Sequence, residues 1–475
     1  MSARGIAALS VLLGVALVAV GITAPLTTAQ IVPTFAVRDP GVRGGPAGAG
    51  GMIPGLTPQQ QLFFNDGLDR FQEIDSVSGT IPGTGSGLGP RFNLDQCSGC
   101  HLQPAVGGTS PSTNPQATVG QKNCAPGATC NPRDLSFTFL PNTPFAQPFI
   151  SSSGPVREAR FISDGGVHDL FTIAGRSDAT GCTLTQPDFN AANNTNNLIA
   201  RIPTPTFGGG LIQSISDATI IANKHANASA KAAAGISGHE NREGNAGTIT
   251  RFGWKAQNKS LQIFAGEAYL VEQGVSNEEF TQERGEPGLD SPSERVEPNS
   301  GCLFNGTPED ATNFSSMTPT GTPSDLVGFS LFMEMLDQPS PVTFSNSAAK
   351  GQATFNQIGC NLCHTPSLTT GKSSISALSN QSANLFSDLL VHDMGTGLAD
   401  RVPQGNASGR EFRTAPLWGL GQRIFFLHDG RTTDLLQAIR AHSSTGSEAN
   451  AVINNFFNAL NGSQQQDVLN FLRSL

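Results

Sequence analysis

Two segments of the chain carry the pattern C-x-x-C-H, at Cys97 to His101 and at Cys360 to His364. Two thiols three residues apart can reach the two vinyl groups of one porphyrin, and the adjacent His then lies beneath the iron as its proximal ligand. A redox-active thiol pair or a zinc site would also use such residues, but neither requires a His after the second Cys in both copies. The pattern therefore predicts two covalently bound c-type haems. Their attachment residues are Cys97, Cys100, Cys360 and Cys363, and their proximal ligands are His101 and His364.

The other four cysteines, Cys124, Cys130, Cys182 and Cys302, lie outside the two motifs. An even number of such residues is typical of disulfides in an exported protein. The first two, six residues apart, are expected to close a small loop, and the last two a long one. Sequence alone allows three connectivities, so this pairing is a preference.

The first 29 residues have the composition of a secretory signal. Arg4 is their only charged side chain, an apolar run extends from Ile6 to Ile22, and small residues end at Ala29. The run is short for a membrane-spanning helix, which favours a cleaved signal peptide over a membrane anchor. We therefore expect a periplasmic protein, because haem attachment and stable disulfides belong to compartments outside the cytoplasm.

The composition of the 475 residues indicates a globular protein with many loops. Hydrophobic residues make up 37% of the chain and charged residues 14%, while Gly and Pro number 54 and 31. The net charge is −9, and the sequence has no basic stripe that could bind nucleic acid. This charge favours a redox partner with a basic or neutral surface.

The sequence predicts a mainly α protein with two cytochrome c-like haem domains. A signal peptide at 1–29 and a linker at 30–56 precede an N-terminal haem domain at 57–320 and a C-terminal one at 321–475. Phe-Asn precedes the first Cys of both motifs at the same offset, which supports an internal repeat.

The first domain is expected to contain a large insertion. Residues 103–250 are rich in Gly, Pro, Asn, Thr and Ser, a composition typical of loops and short hairpins. We expect this insertion to surround the first haem, with Gly210 to Ile215 as one of its short strands.

Several segments have the apolar spacing of helices. Thr57 is placed to cap a helix that begins at Pro58, with an apolar face of Leu62, Phe63, Leu68 and Phe71. Further helices are expected at 326–336, 348–355, 434–442 and 464–475.

The sixth position of each iron determines what that haem can do. An iron with an open position can bind an oxidant, whereas a six-coordinate iron only passes electrons. No methionine lies between Met52 and Met317, so the first haem has no thioether ligand within its own domain. The local histidines of that domain are His168, His225 and His239.

The second haem has a candidate thioether ligand in Met394, thirty residues after His364 and followed by Gly395. Sulfur ligation favours ferrous iron and raises the reduction potential. We expect Met394 to bind this iron, with His392 as the alternative. His428 and His442 are expected to make structural hydrogen bonds.

With these features, the chain resembles the bacterial di-haem cytochrome c peroxidase superfamily. More narrowly, it resembles the di-haem oxidoreductase branch, whose members are described as peroxidases or thiol oxidoreductases. The resemblance extends in order over most of the chain beyond residue 57. The segments that carry it are 87–108, 251–256, 388–400, 411–420 and 426–431.

The resemblance implies a peroxide-reactive N-terminal haem of low potential and a C-terminal haem of high potential with His and Met ligands. It also implies a distal acid above the first haem, for which Glu272 is preferred and Glu267 is second. Lys255 stands where these peroxidases usually have Arg. Related peroxidases often hold a calcium ion between domains, so calcium is a further cofactor that the resemblance allows.

The leading functional hypothesis is therefore reduction of hydrogen peroxide. Electrons would come from a small cytochrome c or cupredoxin and pass through the C-terminal haem to the N-terminal one, with Trp254 as a candidate for the path. One alternative is oxidation of an organic, thiol or protein substrate on the same scaffold. Another is an electron-transfer cytochrome in which both irons are six-coordinate.

Overall fold

The computed structural model describes residues 36–119, 150–184, 187–284 and 301–475. The predicted signal peptide at 1–29 lies outside the described residues. So do Cys124 and Cys130, for which a small disulfide loop was predicted. Residues Val37–Leu475 form one unit in which helices predominate and the sheets are small. The prediction of a mainly α protein is confirmed at this level, whereas the division into two haem domains stays a prediction.

The elements run in chain order as follows. The helices are α1 (Pro58–Gln72), α2 (Cys97–Cys100), α3 (Gln116–Val119), α4 (Phe189–Asn194), α5 (Gly209–Ser214), α6 (Asp217–His225), α7 (Ala228–Ala234), α8 (Leu261–Ala268), α9 (Asp325–Met335), α10 (Asn346–Ile358), α11 (Gly395–Leu398), α12 (Leu435–Ala441), α13 (Asn450–Asn454) and α14 (Gly462–Leu472). The strands are β1 (Asp75–Ser76), β2 (Gly85–Ser86), β3 (Arg91–Phe92), β4 (Glu158–Phe161), β5 (Val167–His168), β6 (Phe171–Thr172), β7 (Leu198–Arg201), β8 (Leu368–Thr369), β9 (Ser382–Ala383), β10 (Val391–Asp393) and β11 (Glu411–Arg413).

Two pairs of crossing helices organise the fold. Helix α1 packs on α9, and α10 packs on α14. Each crossing is close at a glycine of the first helix, because a Cβ at Gly67 would meet the carbonyl oxygen of Gly328 and one at Gly351 that of Asp467. Helix α9 lies beyond the predicted boundary at residue 320, yet it packs on α1 and α8 of the first part of the chain.

The helix predictions agree with the structure at most positions. Thr57 caps α1 with a reciprocal capping box to Gln60, and Pro58 is its first residue. The buried face of α1 is formed by Phe64, Gly67 and Phe71, whereas Leu62 is 55% exposed. The assignment of Leu62 to the buried face was therefore wrong. Helices α9, α10, α12 and α14 lie where helices were expected.

Two local interpretations are corrected by the structure. Gly210 to Ile215 is not a strand, because it lies almost entirely in α5, whose glycines allow close packing on α9. Gly210 has no room for a Cβ beside the carbonyl oxygen of Glu334. The Phe-Asn offset is not a structural repeat either, because Phe92 lies in strand β3 and Phe355 in helix α10.

The insertion contributes a small sheet with strand order β5-β4-β7. Strand β4 pairs antiparallel with β7, so that Glu158 lies opposite Arg201. The disulfide Cys182–Cys302 fastens the insertion to the residues that follow it, with a Cα–Cα distance of 4.6 Å, as preferred from the sequence. Within the described residues, no helix has both the length and the apolar character of a membrane span.

Candidate haem sites

Each C-x-x-C-H motif faces its own cavity. In the N-terminal cavity the wall includes Cys97, Cys100 and His101, placed by α2 and its C-terminal end. His101 Nδ1 lies 3.0 Å from the carbonyl oxygen of Gly108. Burial lowers the pKa of His101 to about 4, against the effect of nearby backbone carbonyls. The ring is therefore neutral, and a metal would bind at Nε2, the nitrogen that is not bonded to Gly108.

The second motif repeats this arrangement. Cys360, Cys363 and His364 line the C-terminal cavity, where the helical turn after α10 places them. His364 Nδ1 lies 2.9 Å from the carbonyl oxygen of Phe386, and burial lowers the pKa of His364 to about 4. In both motifs a backbone carbonyl thus fixes the orientation of the imidazole, as is usual for metal-binding histidines.

The two cavities fit a haem better than the competing groups. Both cavities are lined mainly by apolar surface, which suits the faces of a porphyrin ring. The four motif cysteines are not joined in disulfides. Among the described residues, one cluster with metal-binding separations is formed by Cys363, Asp388 and His392, and it does not include Cys360 or His364. Haem bound here would be held by the cysteine thioethers and by one imidazole in each cavity.

Two buried arginines on the wall of the C-terminal cavity add an electrostatic argument. Burial lowers the pKa of both Arg413 and Arg423 to about 10, so both side chains remain charged at neutral pH. No carboxylate of the described chain contributes to the pKa shift of either guanidinium, and Arg413 Nε has no hydrogen-bond partner there. A buried charge requires a counter-ion. The two propionates of a haem would supply that negative charge.

We expect Arg423→Gln to lower the midpoint potential of the C-terminal haem. A unit charge about 8 Å from an iron, at an effective dielectric of about 20, contributes roughly 2 kcal/mol, or roughly 90 mV for one electron. Loss of the positive charge favours the oxidised iron, so the potential falls. A spectroelectrochemical titration measures the shift. The matched control is Arg401→Gln at an exposed arginine, and equal shifts in both variants would contradict a local role.

The N-terminal cavity contains a pair of interacting carboxyl groups. After α8 the helix continues as a π-helical turn, Tyr269–Gln273, a feature common at functional sites, which carries Glu272. Glu158 comes from β4, and a hydrogen bond joins the carboxyl groups of Glu158 and Glu272. Both side chains line the cavity wall.

These two groups have opposite pKa shifts. Burial raises the pKa of Glu272 well above its ordinary value, and the negative charges of Glu158 and Asp169 add to the rise. Burial also acts to raise the pKa of Glu158, but Arg160 and Arg201 outweigh it and the net shift is downward. As the pH rises, Glu158 therefore loses its proton before Glu272, and Glu272 is the member of the pair that can donate a proton to the other.

Arg160 stabilises the charged member of the pair. Its Nε donates to Glu158 Oε1 at 2.6 Å. Sequence reasoning missed Glu158 and Arg160; their only signal was two charges separated by one residue, which share a face of a strand. Glu267, the second candidate acid, also lines this cavity and accepts a hydrogen bond from the amide of Asn258.

Trp254 lies on the walls of both cavities. Its indole Nε1 donates to the carbonyl oxygen of Ile202 at 2.8 Å, which fixes the ring. Lys255 points elsewhere: it is buried, donates to the carbonyl oxygens of Ser408 and Glu411, and lines neither cavity. The structure thus brings Trp254, but not Lys255, to the two candidate haem sites.

The candidate sixth ligands are distributed unequally. His168, His225 and His239 do not line the N-terminal cavity. One thioether does, that of Met333 on α9, which sequence reasoning regarded as a packing residue. Met394 lines the C-terminal cavity, and its role as a ligand stays a prediction.

His392 is a poor ligand candidate because both of its ring nitrogens are engaged. Nε2 lies 3.0 Å from Asp388 Oδ2, and Nδ1 lies 2.8 Å from Glu448 Oε2. Iron binding would require one of these ion pairs to break inside the protein, which is costly.

The binding of calcium, which the resemblance allowed, stays a prediction.

The class defined by these features is a di-haem oxidoreductase. A family model described as "Di-haem oxidoreductase, putative peroxidase" matches residues 168–475. The match covers more than half of the chain, so the protein belongs to this family. It includes the second haem motif, Trp254 and Glu272, whereas the first motif lies before it. No curated protein was found to match the chain.

Three solved structures are similar over parts of the chain. Hydrazine synthase from Kuenenia stuttgartiensis is 19% identical, with 33% of this chain and 56% of the other covered and a TM-score of 0.22. The diheme peroxidase BthA from Burkholderia thailandensis is 14% identical, with 32% and 50% covered and a TM-score of 0.23. A MauG-like protein associated with microbial copper homeostasis is 15% identical, with 57% and 90% covered and a TM-score of 0.28. The alignments span only about half of the first two chains.

Proposed function

We propose that this protein is a periplasmic enzyme that reduces hydrogen peroxide with two covalently bound c-type haems. The observation that carries the proposal is the Glu272–Glu158 pair on the wall of the same cavity as Cys97, Cys100 and His101. A carboxyl group whose pKa is raised by burial and by a neighbouring carboxylate, beside a predicted haem site, is suited to general acid–base catalysis.

A haem in the N-terminal cavity would supply the iron at which the O–O bond of peroxide is reduced. The overall reaction consumes two electrons and two protons and yields two waters. Glu272 gives its proton to the departing oxygen, and the carboxylate of Glu158 takes up the proton that peroxide loses. Arg160 keeps Glu158 ionised and positions it through their 2.6 Å hydrogen bond.

A haem held by Cys360, Cys363 and His364 in the C-terminal cavity would supply a site through which electrons from a donor could enter. Trp254 is the residue that both cavities share, so we place it on the path between the haems. The donor is a small cytochrome c or a cupredoxin, each of which delivers one electron at a time. The net charge of −9 favours a donor with a basic or neutral surface.

The proposal is tested by mixing the reduced holoprotein with hydrogen peroxide and an excess of reduced cytochrome c. Two donor molecules oxidised per peroxide are expected. Absence of peroxide-dependent donor oxidation would contradict the proposal. Turnover of an organic or thiol compound without a donor would instead support an oxidase. An electron-transfer cytochrome is supported if there is no peroxide-dependent donor oxidation and the ferric protein has no high-spin signal.

A further inference from the structure

His442 lies on the wall of the C-terminal cavity and has one ring nitrogen bound to the backbone. It is the residue at which α12 ends, and its ring lines that cavity. The Nδ1–H group donates to the carbonyl oxygen of Ala438 at 2.8 Å, which assigns the proton to Nδ1. Nε2 therefore carries a lone pair and makes no hydrogen bond with the described residues.

His364, the motif histidine, has the same pattern and lines the same cavity. Its Nδ1 is bound to a backbone carbonyl at 2.9 Å, and its Nε2 is likewise left without a hydrogen bond in the described chain. Each of the two rings is therefore fixed by a backbone carbonyl and presents one nitrogen that a haem iron in this cavity could take as a ligand.

The other candidates contact aromatic side chains near Trp254. Met394 packs against the cluster that contains Trp254 and Phe412. His428 stacks on Phe412 with a ring-centroid distance of 4.3 Å. The backbone of Met394 also accepts a hydrogen bond from Ser444, two residues after His442, so the preference for His442 depends on its ring nitrogens and not on its place on the wall.

An internal correspondence links α12 to α8. Each helix begins with Leu after a polar cap: Ser260 accepts from the amide of Ile263, and Asp434 from that of Gln437. A ring residue, Trp254 or His428, lies six positions before each cap. Eight positions after the caps the chain has Ala268 in the first copy and His442 in the second.

Ala268 lines the N-terminal cavity as His442 lines the C-terminal one. A methyl group cannot bind a metal, so the same place in the repeated unit offers a ligand in one cavity and open space in the other. This difference gives a physical origin to unequal iron coordination that does not depend on methionine.

We propose that His442, rather than Met394, is the sixth ligand of the C-terminal haem iron, which then has two imidazole ligands. Ala268 leaves the corresponding position of the N-terminal haem open. The proposal rests on haem attachment at both motifs and does not require that peroxide be the substrate. It predicts a lower potential for the C-terminal haem than a thioether ligand would give.

The test uses electron paramagnetic resonance and near-infrared magnetic circular dichroism of the ferric holoprotein. The wild type is expected to show a bis-imidazole low-spin signal from half of its iron. In His442→Ala this signal is lost, and in His442→Met it is replaced by a thioether signal. Met394→Leu, the matched control, keeps the bis-imidazole signal.

The proposal is overturned if the wild type has a thioether signal that Met394→Leu abolishes, or if His442→Ala keeps the bis-imidazole signal. Two covalent haems per chain in each variant, counted by haemochrome absorbance, show that the fold and attachment survive. If His442→Ala does not fold, the Met394→Leu and wild-type spectra still decide. No peroxide is added, so failure of the peroxidase proposal would leave these spectra unaffected.

Discussion

The double variant Cys97→Ala/Cys100→Ala is expected to retain one covalent haem and to lose peroxide reduction completely. The N-terminal cavity holds the Glu272–Glu158 pair, so removing its haem separates the proton source from any iron. The C-terminal cavity has its own thiols and its own fixed imidazole, and its haem should remain. Intact-mass measurement counts the haems, and donor oxidation measures the activity.

The mirrored variant Cys360→Ala/Cys363→Ala is the control for this experiment. It should also keep one haem, the N-terminal one. The iron of that haem should react with peroxide once, and the donor should not reduce it again. If instead the first variant keeps full turnover and the second has no reaction with peroxide, the roles of the two haems are reversed. Retention of both haems in either variant would contradict covalent attachment through these cysteines.

Local signals in the sequence predicted much of what the structure shows. Thr57 followed by Pro58 set the start of α1, and the run from 434 to 442 contains α12, because caps and apolar spacing act within a few residues. The adjacency of Cys and His in each motif ensured that they would share a cavity wall. These features need no knowledge of distant contacts.

Features that depend on tertiary packing could not be predicted in this way. Glu158 joins Glu272 only because strand β4, more than a hundred residues earlier in the chain, lies against the same cavity. Gly210 belongs to a helix rather than a strand because its missing side chain allows contact with α9. A short apolar run does not by itself distinguish helix from strand, so the packing partner decides.

The histidines illustrate the same limit. Spacing after His364 and the resemblance to a family favoured Met394, but neither indicates which ring nitrogens of the second half are already engaged. The structure adds which ring nitrogens are occupied: both in His392, one in His442. This distinction follows from hydrogen bonds to Asp388, Glu448 and Ala438, and only the last lies on the same helix as its histidine.

Replacing Glu272 with Gln is expected to lower kcat/KM for peroxide by about 10²–10⁴-fold, the usual contribution of a general acid–base group. Gln has nearly the same shape but carries no proton that it can give up. Because the pKa of Glu272 is raised, wild-type activity should persist to a higher pH than an ordinary carboxyl group would allow and decline as rising pH removes this proton. The variant should lose that alkaline limb, and a pH series of steady-state rates measures both effects.

The matched control is Glu279→Gln, an exposed carboxyl on the same segment that lies outside the cavity. It should keep the rate and pH profile of the wild type. Glu158→Gln provides a second discrimination, because removal of the negative charge leaves Glu272 with a lower pKa and moves the alkaline limb to lower pH. If Glu272→Gln keeps the wild-type rate while Glu267→Gln loses it, the acid is Glu267, and the paired carboxyls only shape the cavity. If neither Glu272→Gln nor Glu267→Gln changes the rate by more than about threefold, proton transfer by these carboxyl groups is not part of the rate-limiting chemistry.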